Sequence, residues 1–330
     1  MISFLIRRTL ILIPLLILVS MLSFFIIQLP PGSYIDSYIQ QMATSGVELQ
    51  QYEIDRLTQR YGLDQPIYVQ YYRWMRNFFL EGRLGRSFQW NRPVTDILIE
   101  RIPTTIMISL LTMLFVWIVS IPVAIYSATH QYSVFDYVFT FLGFIGLALP
   151  NFLFALVLMW VVYDRTGYAI TGLTSMEFIG EPFSISKLIN MIQNLWLPIV
   201  VIGTAGTANL IRIMRGTLLD ELGKQYVTTA RAKGLPERKL LFKYPIRVAI
   251  NPVISTIGWM LPALVSGEII VAIVLNLRTV GPVLFSSIMT QDMYLAGSII
   301  MIISSLTVIG TFISDILLAI VDPRIRFGDK

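Results

Sequence analysis

Long apolar runs separated by polar stretches dominate this chain, and six of the runs, at 9–29, 103–129, 137–163, 195–215, 252–275 and 295–320, reach bilayer length. A membrane-crossing helix takes about 20 residues. Pro122 and Pro150 fall inside the second and third runs and predict kinks, which neighbouring helices or water make tolerable in a membrane. Between the first two runs, Ile67, Tyr71, Trp74 and Phe78 recur at helical spacing with Gln70, Arg73 and Asn77 between them, predicting an amphipathic helix over 66–78. Two placements suit that helix: an external cap over a pore mouth, or an aromatic anchor lying at the membrane interface.

One polar stretch differs from the others. Residues 220–251 read DELGKQYVTTARAKGLPERKLLFKYPIRVAIN, a basic segment between two apolar runs that has no place in lipid. Gln225 to Lys233 lacks Gly and Pro and sets Tyr226 and Ala230 on one face, predicting a helix that stops at Gly234 in a left-handed cap. Pro236 suits the first turn of a second helix, with Leu240, Leu241 and Tyr244 as its apolar stripe. The segment then reads as two short helices meeting at a fixed bend, with small residues at Ala230 and Gly234 letting another surface approach the backbone. A solvated loop with an ordinary glycine cap is the plainer alternative.

Composition narrows the class. The 330 residues are 55% hydrophobic and 14% charged, where soluble domains carry about a quarter charged residues. An all-α integral membrane protein is expected. No cysteine is present and His130 is the single histidine, which excludes disulfides and thiolate metal sites and leaves no metal or cofactor expected. The net charge of +5 comes from basic residues beside the spans, which fits orientation and lipid contact rather than nucleic acid. No phosphate-binding GxxxxGK[ST] loop occurs, and no Ser/His pair suggests an enzyme, so ATP-driven transport would draw its energy from another chain.

Charge also sets the topology. Arg7 and Arg8 precede the first run and place the N-terminus in the cytoplasm. A signal peptide would have a shorter apolar core and small residues at its end; this run continues to Leu29 and stops at Pro30 and Pro31. Residues 1–29 are therefore the cytoplasmic start and first span, 30–102 an external cap region, and 103–330 a core carrying the other five spans. From Arg212 to Arg247 nine Lys or Arg face three acids, the strongest inside signal in the chain. The eight arginines of the first external region do not overturn this, because long translocated segments largely escape the charge rule. With six spans the C-terminal DPRIRFGDK also lies inside.

For a transport path the fifth run stands out, with Pro252, Gly258, Pro262, Gly267, Glu268 and, just beyond, Asn276. A carboxylate at mid-membrane costs about 2.5 to 3.5 kcal/mol on insertion scales, so Glu268 should face a cavity or a partner. A structural hydrogen bond, or a place near the outer interface, explains it as well.

The string TTARAKGLPERKLLFKYPIRVA resembles the cytoplasmic coupling segment of ABC importer permeases, with Thr228, Thr229 and Ala230 at the opening positions of the Glu-Ala-Ala motif and Gly234 at its glycine. Its Thr-Ala-Arg-Ala-Lys-Gly core is similar to the oligopeptide, dipeptide and nickel branch. GLDQP at 62–66, QYYRW at 70–74, GRLGRSF at 82–88, RIPTT at 101–105 and the closing DPRIRFG resemble the same branch. The resemblance implies the six-helix architecture of a type I importer permease. It also implies that Thr229, Ala230, Arg231, Lys233, Gly234, Leu235, Glu237, Leu240 and Leu241 dock into a groove on an ATP-hydrolysing subunit. Further implied partners are a second homologous permease and an extracytoplasmic solute-binding protein. Peptide is the first expected cargo, oligosaccharide the second, a metal chelate another. Two departures stand: Ile246-Arg247 follows Tyr244-Pro245 where the general motif closes with Leu-Pro, and Ala272 and Val280-Gly281-Pro282-Val283 replace a common Glu and a Pro-Gly-Leu-Gly turn. A self-contained secondary transporter is the competing reading, though neither internal repeats nor clustered intramembrane charges support it.

Overall fold

A computed structural model describes residues 2–27, 35, 39, 42–44, 50–61, 64–80, 82, 84–178, 180–182, 184–266 and 269–321. Among them the regular structure is helical, apart from one isolated antiparallel bridge between Arg86 and Pro93. The helices are α1 (Ile2–Ile27), α2 (Gln51–Tyr61), α3 (Ile67–Leu80), α4 (Val94–Thr129), α5 (Val134–Ala148), α6 (Asn151–Thr166), α7 (Ile185–Leu222), α8 (Gln225–Ala232), α9 (Glu237–Lys243), α10 (Pro245–Ala249), α11 (Asn251–Ser266), α12 (Ile269–Val274), α13 (Val280–Met289) and α14 (Met293–Val321).

Three of these, α4, α7 and α14, are each long and apolar enough to cross a membrane unbroken. The third expected crossing, 137–163, is not straight. It is split into α5 and α6, which meet at 106°. Pro150 explains the break: it lacks an N–H to continue the α5 ladder, and it drives Leu149 out of the helical region to φ −80°, ψ 125°. Pro122 has no such effect and lies within the unbroken α4. The fifth expected crossing is covered by α11 and α12, while Gly267 and Glu268 lie outside the described residues.

The chain divides into two compact units. One draws on Met1–Phe4, Thr105–Arg278 and Thr307–Lys330. In it α7 is the central element. Its N-terminal half packs Leu195, Leu197, Val201 and Ile202 against Ile108 of α4, Ala155 of α6, and Val271, Ala272 and Leu275 around α12. Its C-terminal half sets Leu210 and Met214 against Val116 and Ala124 of α4 and Val253 of α11. Gly203 allows the close approach to α4, since a Cβ there would lie 2.6 Å from Phe115 Cδ1. Gly203→Val should therefore force Phe115 aside and destabilise the fold by about 1 to 3 kcal/mol, the usual cost of overpacking. Thermal unfolding in detergent measures it. A comparable approach joins α11 to α14, where a Cβ on Gly258 would come within 3.0 Å of Thr311 Cα.

The other unit draws on Leu5–Thr104 and Thr279–Leu306. Its core is aromatic. Trp74, 2% exposed, is enclosed by Phe24 of α1, Phe88, Met293 and Met301, with Tyr71 and Phe78 alongside. The Phe24 ring lies edge-on to Tyr71 at 5.4 Å, and Phe78 lies 5.9 Å from Trp74. The helical spacing read for α3 thus marks a packed face at Tyr71, Trp74 and Phe78, while Ile67 is exposed.

The same unit contains a buried carboxylate that the residue pattern did not single out. Asp292 accepts hydrogen bonds from Ser87 Oγ at 2.5 Å, the Gln89 N–H at 3.1 Å and the Leu295 N–H at 3.2 Å. It joins the loop before α4 to the start of α14. Gln89 adds a second tie, its Oε1 accepting from Ser286 Oγ and Thr290 Oγ1.

Candidate functional site

The basic segment begins where α7 ends at Gly223. The α8 helix follows and closes as a Schellman motif: the Gly234 N–H donates to Arg231 O at 3.0 Å and the Leu235 N–H to Ala230 O at 3.3 Å. Gly234 has φ +75°, the left-handed conformation that a side chain resists. Pro236 with ψ 136° turns the chain into α9. It stands one residue before that helix, as its cap, rather than in the first turn where the sequence reading put it; its carbonyl accepts the Leu240 N–H at 2.9 Å.

Apolar residues then hold the bend. Val227 and Ala230 of α8 and Leu240 of α9 are buried together, with Leu235 and Tyr244 packed against them. Leu241 points elsewhere, joining Leu222 and Leu219 against Ala128, Leu218, Ile246 and Ala249. The two-helix segment has its own small core and is seated on the C-terminal ends of α4 and α7. A solvated loop would have neither.

The nine residues expected to face a partner therefore divide by burial. Ala230 and Leu240 are buried, and Leu235 and Leu241 half-buried; the first three support the bend from within, while Leu241 seats the segment on α4 and α7. Thr229, Arg231, Lys233, Gly234 and Glu237 are exposed on the outer surface. Thr229 Oγ1 bonds back to Gln225 O at 2.9 Å. Among the described residues, its chain neighbours aside, nothing lies within 4 Å of where a Gly234 Cβ would stand.

Arg231 and Glu237 form a two-point ion pair across the bend, at 3.2 Å from Nε and 2.6 Å from NH2. The hydrogen bond from Arg231 holds the Glu237 carboxyl below its ordinary range, and the same bond raises the guanidinium. A carboxylate with a lowered folded pKa adds stability above its unfolded pKa and loses it as pH falls through the folded value. Both side chains are about half exposed, so the contribution is small and screened by salt. Glu237→Gln should accordingly unfold slightly earlier than the parent at neutral pH, with the gap closing below the carboxylate range. A Tm series against pH reads this directly.

Of the three residues expected on the transport path, Asn276 alone is described together with its side chain. Pro262 lies within α11, where the backbone alone is described, and Glu268 falls outside the described residues. Asn276 caps α12 in the left-handed region at φ +51°, with the Leu277 N–H reaching back to Ala272 O at 2.8 Å. Beside it the Gly172 N–H donates to Leu275 O, also at 2.8 Å, which fastens the loop after α6 to this corner. Its left-handed backbone and exposed side chain make it a structural corner as the fold stands.

One functional candidate had escaped the sequence reading. Arg215, two turns before the end of α7, donates from Nε and NH2 to Asp136 at 3.0 and 2.9 Å, and Asp136 also accepts the Tyr132 N–H at 3.0 Å. The Asp136 side chain is 4% exposed. A lone acid opening an apolar run was the available signal, but its partner is 79 positions away. His130, at the start of that turn, stacks on Tyr126 with ring centroids 4.6 Å apart.

Comparison with known proteins places these features in a family. Residues 120–327 match the family described as binding-protein-dependent transport system inner membrane component, and residues 1–110 match its N-terminal region. The chain is 36% identical over 328 residues to the oligopeptide transport system permease protein AppB of Bacillus subtilis, covering 99% of this chain and 100% of that one. It is 28% identical over 341 residues to the dipeptide transport system permease protein DppB of Alkalihalophilus pseudofirmus, at 99% and 100% coverage. It is also 27% identical over 332 residues to the oligopeptide transport system permease protein OppB of Haemophilus influenzae, again at 99% and 100%. Such relatives are transport subunits, and the chain belongs with them to the binding-protein-dependent inner membrane components, the permease subunits of ABC importers.

Proposed function

We propose that this chain forms half of a transmembrane path that carries oligopeptides into the cytoplasm, driven by ATP hydrolysis on separate subunits. Its partners in this reading are a second homologous permease, ATP-binding subunits docked on the 220–251 segment, and an extracytoplasmic protein that delivers the solute. Six crossings, both termini in the cytoplasm and an external region at 30–102 complete the arrangement. The peptide cargo follows from the oligopeptide and dipeptide transport named for the relatives.

The observation that carries the reading is the bend at Gly234. A two-helix segment with a core of its own, seated on Leu218 of α7 and Ala128 of α4, transmits force as a solid piece instead of yielding like a loop. Closure of ATP-bound partners displaces that piece and shifts the population between two states of the path; nucleotide binding supplies the differential free energy. Val227, Ala230 and Leu240 keep the bend in shape, while Thr229, Arg231, Lys233, Gly234 and Glu237 form the surface on which a partner seats.

Reconstitution tests it. Proteoliposomes holding the complete complex should accumulate a labelled oligopeptide only when ATP is inside and the binding protein outside. Uptake without ATPase subunits overturns the energy source, and uptake of oligosaccharides with indifference to peptides overturns the cargo.

A further inference from the structure

The α5 and α7 helices run antiparallel and meet at three matched levels. At the inner end the Asp136 carboxylate takes both donors of Arg215. Seven residues on in α5, a Cβ built on Gly143 would stand 3.8 Å from Ala208 Cβ, seven residues back in α7. Further along, a Cβ on Gly146 would press to 2.8 Å from Thr204 Cγ2. Two glycines thus bring the helices into near-backbone contact, and an ion pair with a nearly buried carboxylate pins their register. A slide of one helix along the other would separate Asp136 from Arg215 and drive the Thr204 methyl into the α5 backbone.

Position gives the pair its consequence. Arg215 lies seven residues before Leu222, about 10 Å along the helix. Between them Leu218 is buried against Ile246 and Ala249, with Leu241 of the coupling segment packed beside it. A displacement of that segment therefore reaches Arg215 through well-packed side chains before it reaches the middle of α7. Asp136 is held from its own side as well, by the Tyr132 N–H, and its N–H is capped by Ser133 Oγ at 3.2 Å.

We infer that α5 and α7 move as one body through the transport cycle, and that Asp136, acting through Arg215, is the positioning residue that carries movement of the coupling segment into α5. This rests on the transport reading above.

The absence of cysteine in the chain makes the test direct. Gly143→Cys with Ala208→Cys places two Cβ atoms at about the 3.8 Å a disulfide prefers. The pair is expected to cross-link with equal yield in the nucleotide-free and vanadate-trapped complexes, and the oxidised complex should keep most of its uptake. No cross-link in either state, a yield that changes strongly with nucleotide, or uptake lost on oxidation and regained on reduction would overturn the one-body motion. Separately, Asp136→Asn should lower peptide uptake per ATP hydrolysed by about tenfold, within the usual range of coupling factors, while ATP hydrolysis persists. The exchange Asp136→Arg with Arg215→Asp should restore the ratio. A ratio unchanged in Asp136→Asn, or one the exchange leaves low, refutes the positioning role. If the parent complex shows no ATP-driven uptake, the transport reading falls instead, and the cross-linking yields still decide the one-body motion.

Discussion

Gly234→Arg is expected to leave the protein inserted and folded while uptake falls by about tenfold or more, in line with ordinary coupling factors between sites. Two properties of the position set that expectation. The left-handed backbone at φ +75° costs an ordinary side chain about 1 to 2 kcal/mol, too little to unfold a segment that Val227, Ala230 and Leu240 hold from inside. Among the described residues the space around a Gly234 Cβ is open, so a long side chain leaves the backbone unobstructed and projects into ground a partner would use. Gly234→Asn separates the two effects, because asparagine tolerates the left-handed region and projects far less. Uptake and ATP hydrolysis measured in parallel should show Asn near the parent and Arg uncoupled. Equal losses in both variants would trace the defect to backbone strain and remove Gly234 from the docking surface.

Asp292→Ala should be the most destabilising single change among the residues discussed. The carboxylate is fully buried, and its loss strands Ser87 Oγ and the N–H groups of Gln89 and Leu295. Each buried donor left without its acceptor costs roughly 1 to 3 kcal/mol. The pH dependence has a definite sign. Burial, the dominant influence, holds this carboxyl above the usual carboxylate range, against the pull of hydrogen bonds from Ser87, Gln89, Leu295 and Phe88. A raised folded pKa means the folded state binds its proton more tightly than the unfolded chain does. The resulting stability is present below the unfolded pKa and is lost as pH rises through the folded value. Relative to Asp292→Asn, the parent should gain Tm on acidification across that window; a parallel pair of Tm curves would contradict the burial.

Local features were the legible ones. Periodicity placed α3 and its packed residues Tyr71, Trp74 and Phe78, because an amphipathic face is written at short range. Gly234 marked the end of α8 because the left-handed cap depends on a single residue. Three kinds of information were out of reach. Whether a proline kinks or breaks a helix depends on its surroundings: Pro122 stays within α4, whereas Pro150 separates α5 from α6. Which face of the 220–251 segment turns inward depends on tertiary packing: Ala230, expected to let a partner approach, is buried with Val227 and Leu240. Long-range pairs such as Asp136 with Arg215, or Asp292 with Ser87, join elements whose adjacency no local pattern records.

The corner at Pro150 has a bearing on the surrounding lipid. Its arms hold 15 and 16 residues, roughly 22 and 24 Å of helix, against a hydrocarbon slab of about 30 Å. Phe141, Phe144, Phe152 and Trp160 are exposed along them. Neither arm alone matches the slab, so acyl chains beside this corner have to tilt or shorten to cover its aromatic surface, at a fraction of a kcal/mol per ångström of mismatch. The thickness of the host membrane thereby becomes a variable acting on the helix pair that Pro150 separates.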